Sequence, residues 1–135
     1  MKKAIIISFL IIILMVLVTL GILMGRSASI AKKVRAMPIN EVDLAEITDG
    51  SYKGDFTYAG FTYQVEVMIK EHKIENIKVL KNRNTKYSKL AEGIIEKVVQ
   101  NQSLKVDAIS GATTTSKALL KAIENALTGQ GENTK

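Results

Sequence analysis

The residues most able to do chemistry lie together in Val106-Asp107-Ala108-Ile109-Ser110-Gly111-Ala112-Thr113-Thr114-Thr115-Ser116, a stretch of small side chains, clustered hydroxyls and one carboxylate. Val106 to Ile109 reads as a short extended segment that delivers the chain into a loop, and the loop opens a helix. Gly111 gives the backbone angles closed to other residues, and Ala112 leaves space for something bulky to approach. The hydroxyls fall where first-turn amides lack partners, so one of them can cap the helix. A helix start with free N–H groups also suits a phosphate, and Lys117 adds a positive charge nearby. Spacing alone leaves two uses open: a phosphate site, or an ordinary loop capped by Thr114, Thr115 or Ser116.

Several chemistries are excluded or disfavoured. The run lacks the glycine-rich length and Gly-Lys-Ser ending of a nucleotide-hydrolysing loop. No base stands ready to activate a serine or threonine nucleophile, because the one histidine, His72, falls in an expected turn and reads as a solvated turn residue. There is no cysteine, hence no disulfide, thiolate metal site or lipoprotein attachment point. No His, Asp or Glu grouping has metal-ligand spacing, so neither a catalytic nor a metal role is assigned to any residue. The net charge of +6 does not indicate nucleic acid: part of the excess sits beside a membrane segment, and the remaining lysines alternate with acids, as in Lys70-Glu71-His72-Lys73.

The elements that must position the hydroxyl loop are legible upstream. After the turn signal Asp49-Gly50, residues Tyr52, Gly54, Phe56 and Tyr58 alternate with polar ones, as a half-buried strand requires. Ala59-Gly60 makes a turn, then Phe61, Tyr63, Val65, Val67 and Ile69 alternate in a second strand. Glu71-His72 is a second turn, and Ile74 to Leu80 forms a third strand with Ile77 and Val79 inward. This predicts an antiparallel β-meander. From Tyr87 the period becomes helical, with Leu90, Ile94 and Val98 on one face beside Ala91 and Ile95. A second helix is expected from about Thr115, with Ala118, Leu119, Ala122, Ile123, Ala126 and Leu127 facing the core and Gly129 as its stop. The fold class is therefore α+β, a small sheet with helices packed on it. The alternating aromatics Tyr52, Phe56, Tyr58, Phe61 and Tyr63 are either plain core or the wall of a ring pocket.

At the amino terminus, Ala4 to Met24 carries no charge. At about 1.5 Å per residue it makes roughly 30 Å of helix, the thickness of a bilayer's hydrocarbon core. Lys2-Lys3 followed later by Ser27-Ala28-Ser29 also fits a cleaved signal peptide, but the apolar run is longer than a signal's usual core of about 7–15 residues. A transmembrane signal anchor over residues 1–25 is expected, then a juxtamembrane stem over 26–47, partly helical and holding Pro38. The folded domain is expected over 48–128 and a polar tail over 129–135. Basic residues flank both ends of the span (Lys2 and Lys3 against Arg26, Lys32, Lys33 and Arg35), so charge alone does not orient it and leans slightly toward a cytoplasmic body.

The run from Asp107 to Ser116 closely resembles the flavinylation signature of FMN-binding domains, a family that includes the peripheral flavin subunits of sodium-pumping NADH:quinone oxidoreductase and of the Rnf complex. That signature has an acid, two spacer residues, then Ser/Thr-Gly-Ala-Thr with further hydroxyls. Asp49-Gly50-Ser51-Tyr52-Lys53-Gly54, the strand Tyr63 to Ile69 and Lys73-Ile74 are similar to the family's opening. The resemblance implies FMN as cofactor, esterified through its phosphate to Thr113 by a flavin transferase that uses FAD, with Thr115 as the second-choice hydroxyl. It implies that Ser110, Gly111 and Ala112 shape the loop around the phosphate, with Thr114 and Thr115 beside it. Asp107 matches the motif's acid, holding the loop or guiding the transferase, with a plain turn acid as the lesser alternative. A covalent link makes sense outside the cytoplasm, where a lost cofactor could not be replaced, so an extracytoplasmic domain on a single-pass cell-membrane anchor is expected. With no haem motif and little beyond anchor and domain, the chain reads as one station in an electron relay. Its expected partners are the bilayer, the transferase and a membrane redox or quinone-linked donor. An anchored flavin reductase of an external acceptor and a non-redox binding or sensory module are the alternatives.

Overall fold

The computed structural model describes residues 1–129; of the expected tail, residues 130–135 lie outside the described residues. A single helix, α1, runs from Lys2 to Ala36 and is long and apolar enough to cross a membrane. It ends where the sequence forces it to. Met37, which precedes Pro38, is extended at φ −63° and ψ 127°, because a residue before proline is pushed out of the helical region. The helix thus continues past Met24, where its charge-free stretch ends, to Ala36, and its last turns fold onto the body. Val34 is buried there and Ala31 is half-buried.

The chain between Met37 and Ile47 is packed onto the body. Ile47 is buried, and Ile39, Val42 and Leu44 lie against the core. Asp43 accepts a hydrogen bond from the Ala45 amide at 2.9 Å and opens a short 3-10 turn over Leu44–Glu46. Two carboxylates fasten this strap. Glu124 accepts from the Asn40 amide at 3.2 Å and from Asn40 Nδ2 at 2.9 Å. Glu41 accepts from Ser103 Oγ at 2.6 Å and from the Leu104 amide at 3.2 Å. Burial alone would raise the Glu124 carboxyl, but hydrogen bonds from Lys121 and Asn40, with the Lys121 charge 2.8 Å away, hold it below the usual glutamate range.

Three antiparallel strands form one sheet in the order β1-β2-β3: β1 Gly50–Tyr58, β2 Phe61–Lys70 and β3 Lys73–Lys81. Both connections are two-residue turns with positive φ throughout, 49° and 72° at Ala59-Gly60 and 52° and 58° at Glu71-His72. This is the handedness that matches strand twist. The central strand buries Tyr63, Val65, Val67 and Ile69, the expected alternation. In β3 two register shifts against β2 leave Glu75 and Leu80 without partners. Because of the first bulge, Ile74 and Ile77 both face inward although three positions apart. His72 Nδ1 lies 3.0 Å from the Ile47 carbonyl oxygen, joining this turn to the strap.

The expected helix from Tyr87 is two helices, α2 Lys86–Ala91 and α3 Gly93–Asn101. They meet at Glu92, whose amide reaches the Lys89 carbonyl at 3.2 Å in a tightened turn just before Gly93, a poor helix former. The kink re-aims the apolar stripe, so Ala91, Ile94 and Val98 are buried while Leu90 is exposed, contrary to its expected core place. After α3, Gln102 adopts a left-handed conformation, and its side chain accepts from the Ile74 amide at 2.8 Å and donates to the Ile74 carbonyl at 2.9 Å. It thereby satisfies the start of β3 as a strand partner would. The segment Val106 to Ile109 is not a strand, since the described sheet contains only β1, β2 and β3; it runs as irregular chain with Val106 and Ile109 packed on the core. The last helix, α4, spans Thr113–Thr128 and starts two residues earlier than the apolar pattern indicated. All six expected core residues on it are buried, and Gly129 ends it at φ 72° with its amide on the Asn125 carbonyl.

α4 lies directly across β1 and β2. The contact is closest at Gly54, where a Cβ would sit 2.2 Å from the Ala122 carbonyl oxygen and 2.3 Å from the Ala126 amide nitrogen. Ala118, Ala122 and Ala126 keep the facing surface of α4 low, so that helix and strand backbones nearly touch. Asn125 Nδ2 donates to the Asp55 carbonyl at 2.7 Å beside this crossing. The second half of α4 is thereby fixed against β1.

Candidate functional site

The loop before α4 is stapled by one serine. Ser116 is fully buried, and its Oγ accepts from the Ile109 amide at 3.1 Å. The Ala112 amide reaches the Ile109 carbonyl at 3.0 Å, and the Ser116 amide reaches the Ala112 carbonyl at 2.9 Å. Ser110-Gly111 therefore forms a tight turn, with Gly111 at φ 78° and open space where a side chain would stand. Ala112 is buried beneath the turn and is the N-cap residue.

No side chain caps α4. Ser116 is committed to Ile109, and the Thr114 hydroxyl accepts from Arg35 Nε at 2.8 Å. The amides of Thr113, Thr114 and Thr115 have no protein acceptor among the described residues. The Thr113 hydroxyl, at the first helical position and half-buried, makes no hydrogen bond there either. Three free N–H groups at the positive end of a sixteen-residue helix, beside an uncommitted hydroxyl, constitute an anion-binding geometry. The ordinary-cap reading of the hydroxyls does not describe this loop.

The structure brings together Ser110, Gly111, Ala112, Thr113, Thr114 and Thr115 by sequence adjacency, and it places Asp107 at their edge. Asp107 is exposed; its main-chain carbonyl accepts from Lys97 Nζ at 3.2 Å, and its carboxylate has no hydrogen-bond partner among the described residues. Asp107 lines a shallow cleft with Lys97, Asn101 and Lys105, which does not include Thr113. Lys117, expected to lend charge to the loop, instead directs its Nζ to the Met37 carbonyl at 3.4 Å, beyond the end of α1. The cation at the loop is Arg35, delivered from the far end of the chain by the docking of α1 on α4. No local motif could reveal it.

On the sheet side, Tyr63 is fully buried between two rings. It stacks on Tyr58 at 6.1 Å and meets Phe61 edge-on at 5.0 Å. The guanidinium of Arg83 lies over the same Tyr58 and Phe61 rings, 5.4 Å and 5.2 Å from their centroids. Neither the Tyr63 hydroxyl nor Arg83 Nε, both buried, has a hydrogen-bond partner. Such an orphaned polar group costs about 1–3 kcal/mol. Burial pushes the Tyr63 phenol above its ordinary range; Arg83 and Thr115 are close enough to oppose the shift, though neither makes a hydrogen bond of full geometry to the hydroxyl. Of the alternating aromatics, Tyr63 is core in position, but its polar end faces the start of α4. Tyr52 lies at the other end of β1, where its hydroxyl donates to the Thr48 carbonyl at 2.7 Å.

Against known families, the sequence pattern of the FMN-binding domain matches residues 58–128, more than half of the chain. The protein belongs to the FMN-binding domain family. The match includes the whole hydroxyl loop, Tyr63 and Arg83, and it excludes α1 and the strap. No curated protein matches the chain closely enough to serve as a named relative. The residues present fit the cofactor of an FMN-binding domain. Uncapped amides and a free hydroxyl suit a phosphate, and the orphaned Tyr63 and Arg83 donors suit an oxygen-rich ligand.

Proposed function

We propose that the protein is a membrane-anchored electron carrier that holds FMN covalently, as a phosphoester to Thr113, on the extracytoplasmic side. The observation that carries this is the start of α4, where Thr113 presents an unbonded hydroxyl among three unpartnered amides on a turn fixed by Ser116. A flavin transferase would join Thr113 Oγ to the phosphorus of the FMN half of FAD; AMP leaves and the hydroxyl proton is released. The amides of Thr113, Thr114 and Thr115, with the Arg35 guanidinium held at Thr114, offset the phosphate's charge. Ser110 and Gly111 shape an open approach, and Ala112 supports it from below. Asp107, exposed at the loop's edge, is available to the transferase. When bound, the flavin supplies the electron-accepting and electron-donating chemistry, and the protein supplies placement.

Placement favours a relay at the membrane surface. Arg35 touches the loop and stands eleven residues beyond Met24, about 16 Å along the helix from the end of the apolar span. Such a site lies within reach of a membrane redox enzyme or quinone-linked donor. The test is to co-express the full chain with a flavin transferase that is either exported or retained in the cytosol, then look for flavin fluorescence on a denaturing gel. A fluorescent band only with the exported transferase supports both covalent attachment and an external domain. A band only with the cytosolic one reverses the orientation, and none in either removes the covalent carrier.

A further inference from the structure

The geometry points to a second contact for the flavin nucleotide, remote from the attachment loop in sequence: the Tyr63 hydroxyl and the Arg83 side chain donating to an oxygen acceptor of the cofactor. This rests on the FMN-binding reading of the site but not on the covalent link. Three observations converge on it. Tyr63 is fully buried, yet its hydroxyl has no partner; packing alone would be served by phenylalanine. Arg83 buries its Nε unpartnered, its guanidinium lies over Tyr58 and Phe61, and no carboxylate pairs with it among the described residues. The Tyr63 hydroxyl neighbours both Arg83 and Thr115, the latter two residues along α4 from Thr113.

A buried hydroxyl and a buried guanidinium N–H that lie close together without completing a hydrogen bond are both met by an oxygen-bearing, electron-rich ligand. A flavin nucleotide offers two such sources, the carbonyl edge of its ring and its phosphate. The aromatic faces of Tyr58 and Phe61 around the donors suit the ring, and the charge on Arg83 suits either.

The experiment uses the unmodified full chain in detergent, made without a transferase, and compares it with Arg83→Met and Tyr63→Phe. Binding of added FMN and of riboflavin is followed by flavin fluorescence, with inorganic phosphate as competitor. Both variants are expected to weaken FMN binding, Arg83→Met by about tenfold or more because a charged donor is lost. Tyr63→Phe is expected to leave the thermal midpoint unchanged or raised, since it deletes a buried orphan. Riboflavin binding that weakens in Arg83→Met assigns the contact to the ring. Competition by inorganic phosphate without riboflavin binding assigns it to the phosphate. Equal FMN affinity in all three proteins, or no binding of any probe, overturns the proposal. So does a lowered midpoint in Tyr63→Phe with unchanged FMN affinity, which makes the hydroxyl a folding group only. Intact mass after co-expression with a transferase reads the covalent link separately: an adduct with Arg83-independent FMN binding leaves the carrier and removes this contact, and the reverse pattern does the opposite.

Discussion

At the scale of single residues, the hydroxyls of the loop are divided between holding the loop and standing free: those of Ser110 and Thr113 make no hydrogen bond among the described residues, and that of Thr114 is held by Arg35. Ser116 is the structural one. Replacing it with alanine orphans the part-buried Ile109 amide, and a loss of about 1 kcal/mol is expected in urea unfolding, with slower flavin attachment on a denaturing gel. Stability unchanged in Ser116→Ala would mean that the turn is held by other contacts. The residues from Asp107 to Ser116 were legible because adjacent hydroxyls around Gly-Ala report local chemistry. Arg35 was not legible, because it reaches Thr114 only through the docking of one helix on another, 79 positions away. Nor does alternation reveal that the polar end of Tyr63 is unpartnered; a buried strand position looks the same whether its hydroxyl is bonded or not.

At the scale of elements, the crossing of α4 over β1 is the contact that fixes the site on the sheet. Gly54→Ala would push a methyl into the backbone of Ala122 and Ala126, so a loss of about 3 kcal/mol or more is expected in urea unfolding. A smaller loss would mean that α4 can lift off without cost, and the loop geometry would then be less fixed than its hydrogen bonds indicate. The hairpins were readable from two-residue turns and alternating apolar residues, and α4 from its apolar stripe. The break at Glu92 was not, because Leu90, Ile94 and Val98 keep helical spacing and only the tightened turn before Gly93 rotates Leu90 outward. Similarly, Val106 to Ile109 has strand-like residues but no neighbour to pair with; its backbone is tied to Ser116 and Lys97 instead.

At the scale of the whole molecule, the long apolar helix α1 and the FMN-binding domain are joined by a packed strap. Its Asn40–Glu124 clamp is pH-sensitive in a direction that follows from the charge. The folded protein holds the Glu124 carboxyl below its unfolded range, so the clamp's contribution is complete above the ordinary glutamate range and is lost as pH falls through the depressed folded value. Protease cleavage between Met37 and Ile47 is expected to rise on acidification within that window. Glu124→Gln should flatten the pH dependence, and an equally steep profile in that variant would place the sensitivity elsewhere. A fragment beginning at Asp49 lacks buried Ile47 and the half-buried Ile39, Val42 and Leu44, and should be less stable than one beginning at Arg26 by about 2 kcal/mol or more. Equal stability would show that the packing of the strap adds nothing to the fold. Composition showed an apolar span and a mixed segment after it; that this segment packs depends on partners on α4 and after α3, which come much later in the chain.

The most direct test of the account is the intact mass of the full chain co-expressed with an exported flavin transferase, beside Thr113→Ala and Thr115→Ala. The account predicts an added mass of one FMN in the unaltered chain and in Thr115→Ala, and none in Thr113→Ala. An adduct that survives in Thr113→Ala, or no adduct in any of the three, would contradict it.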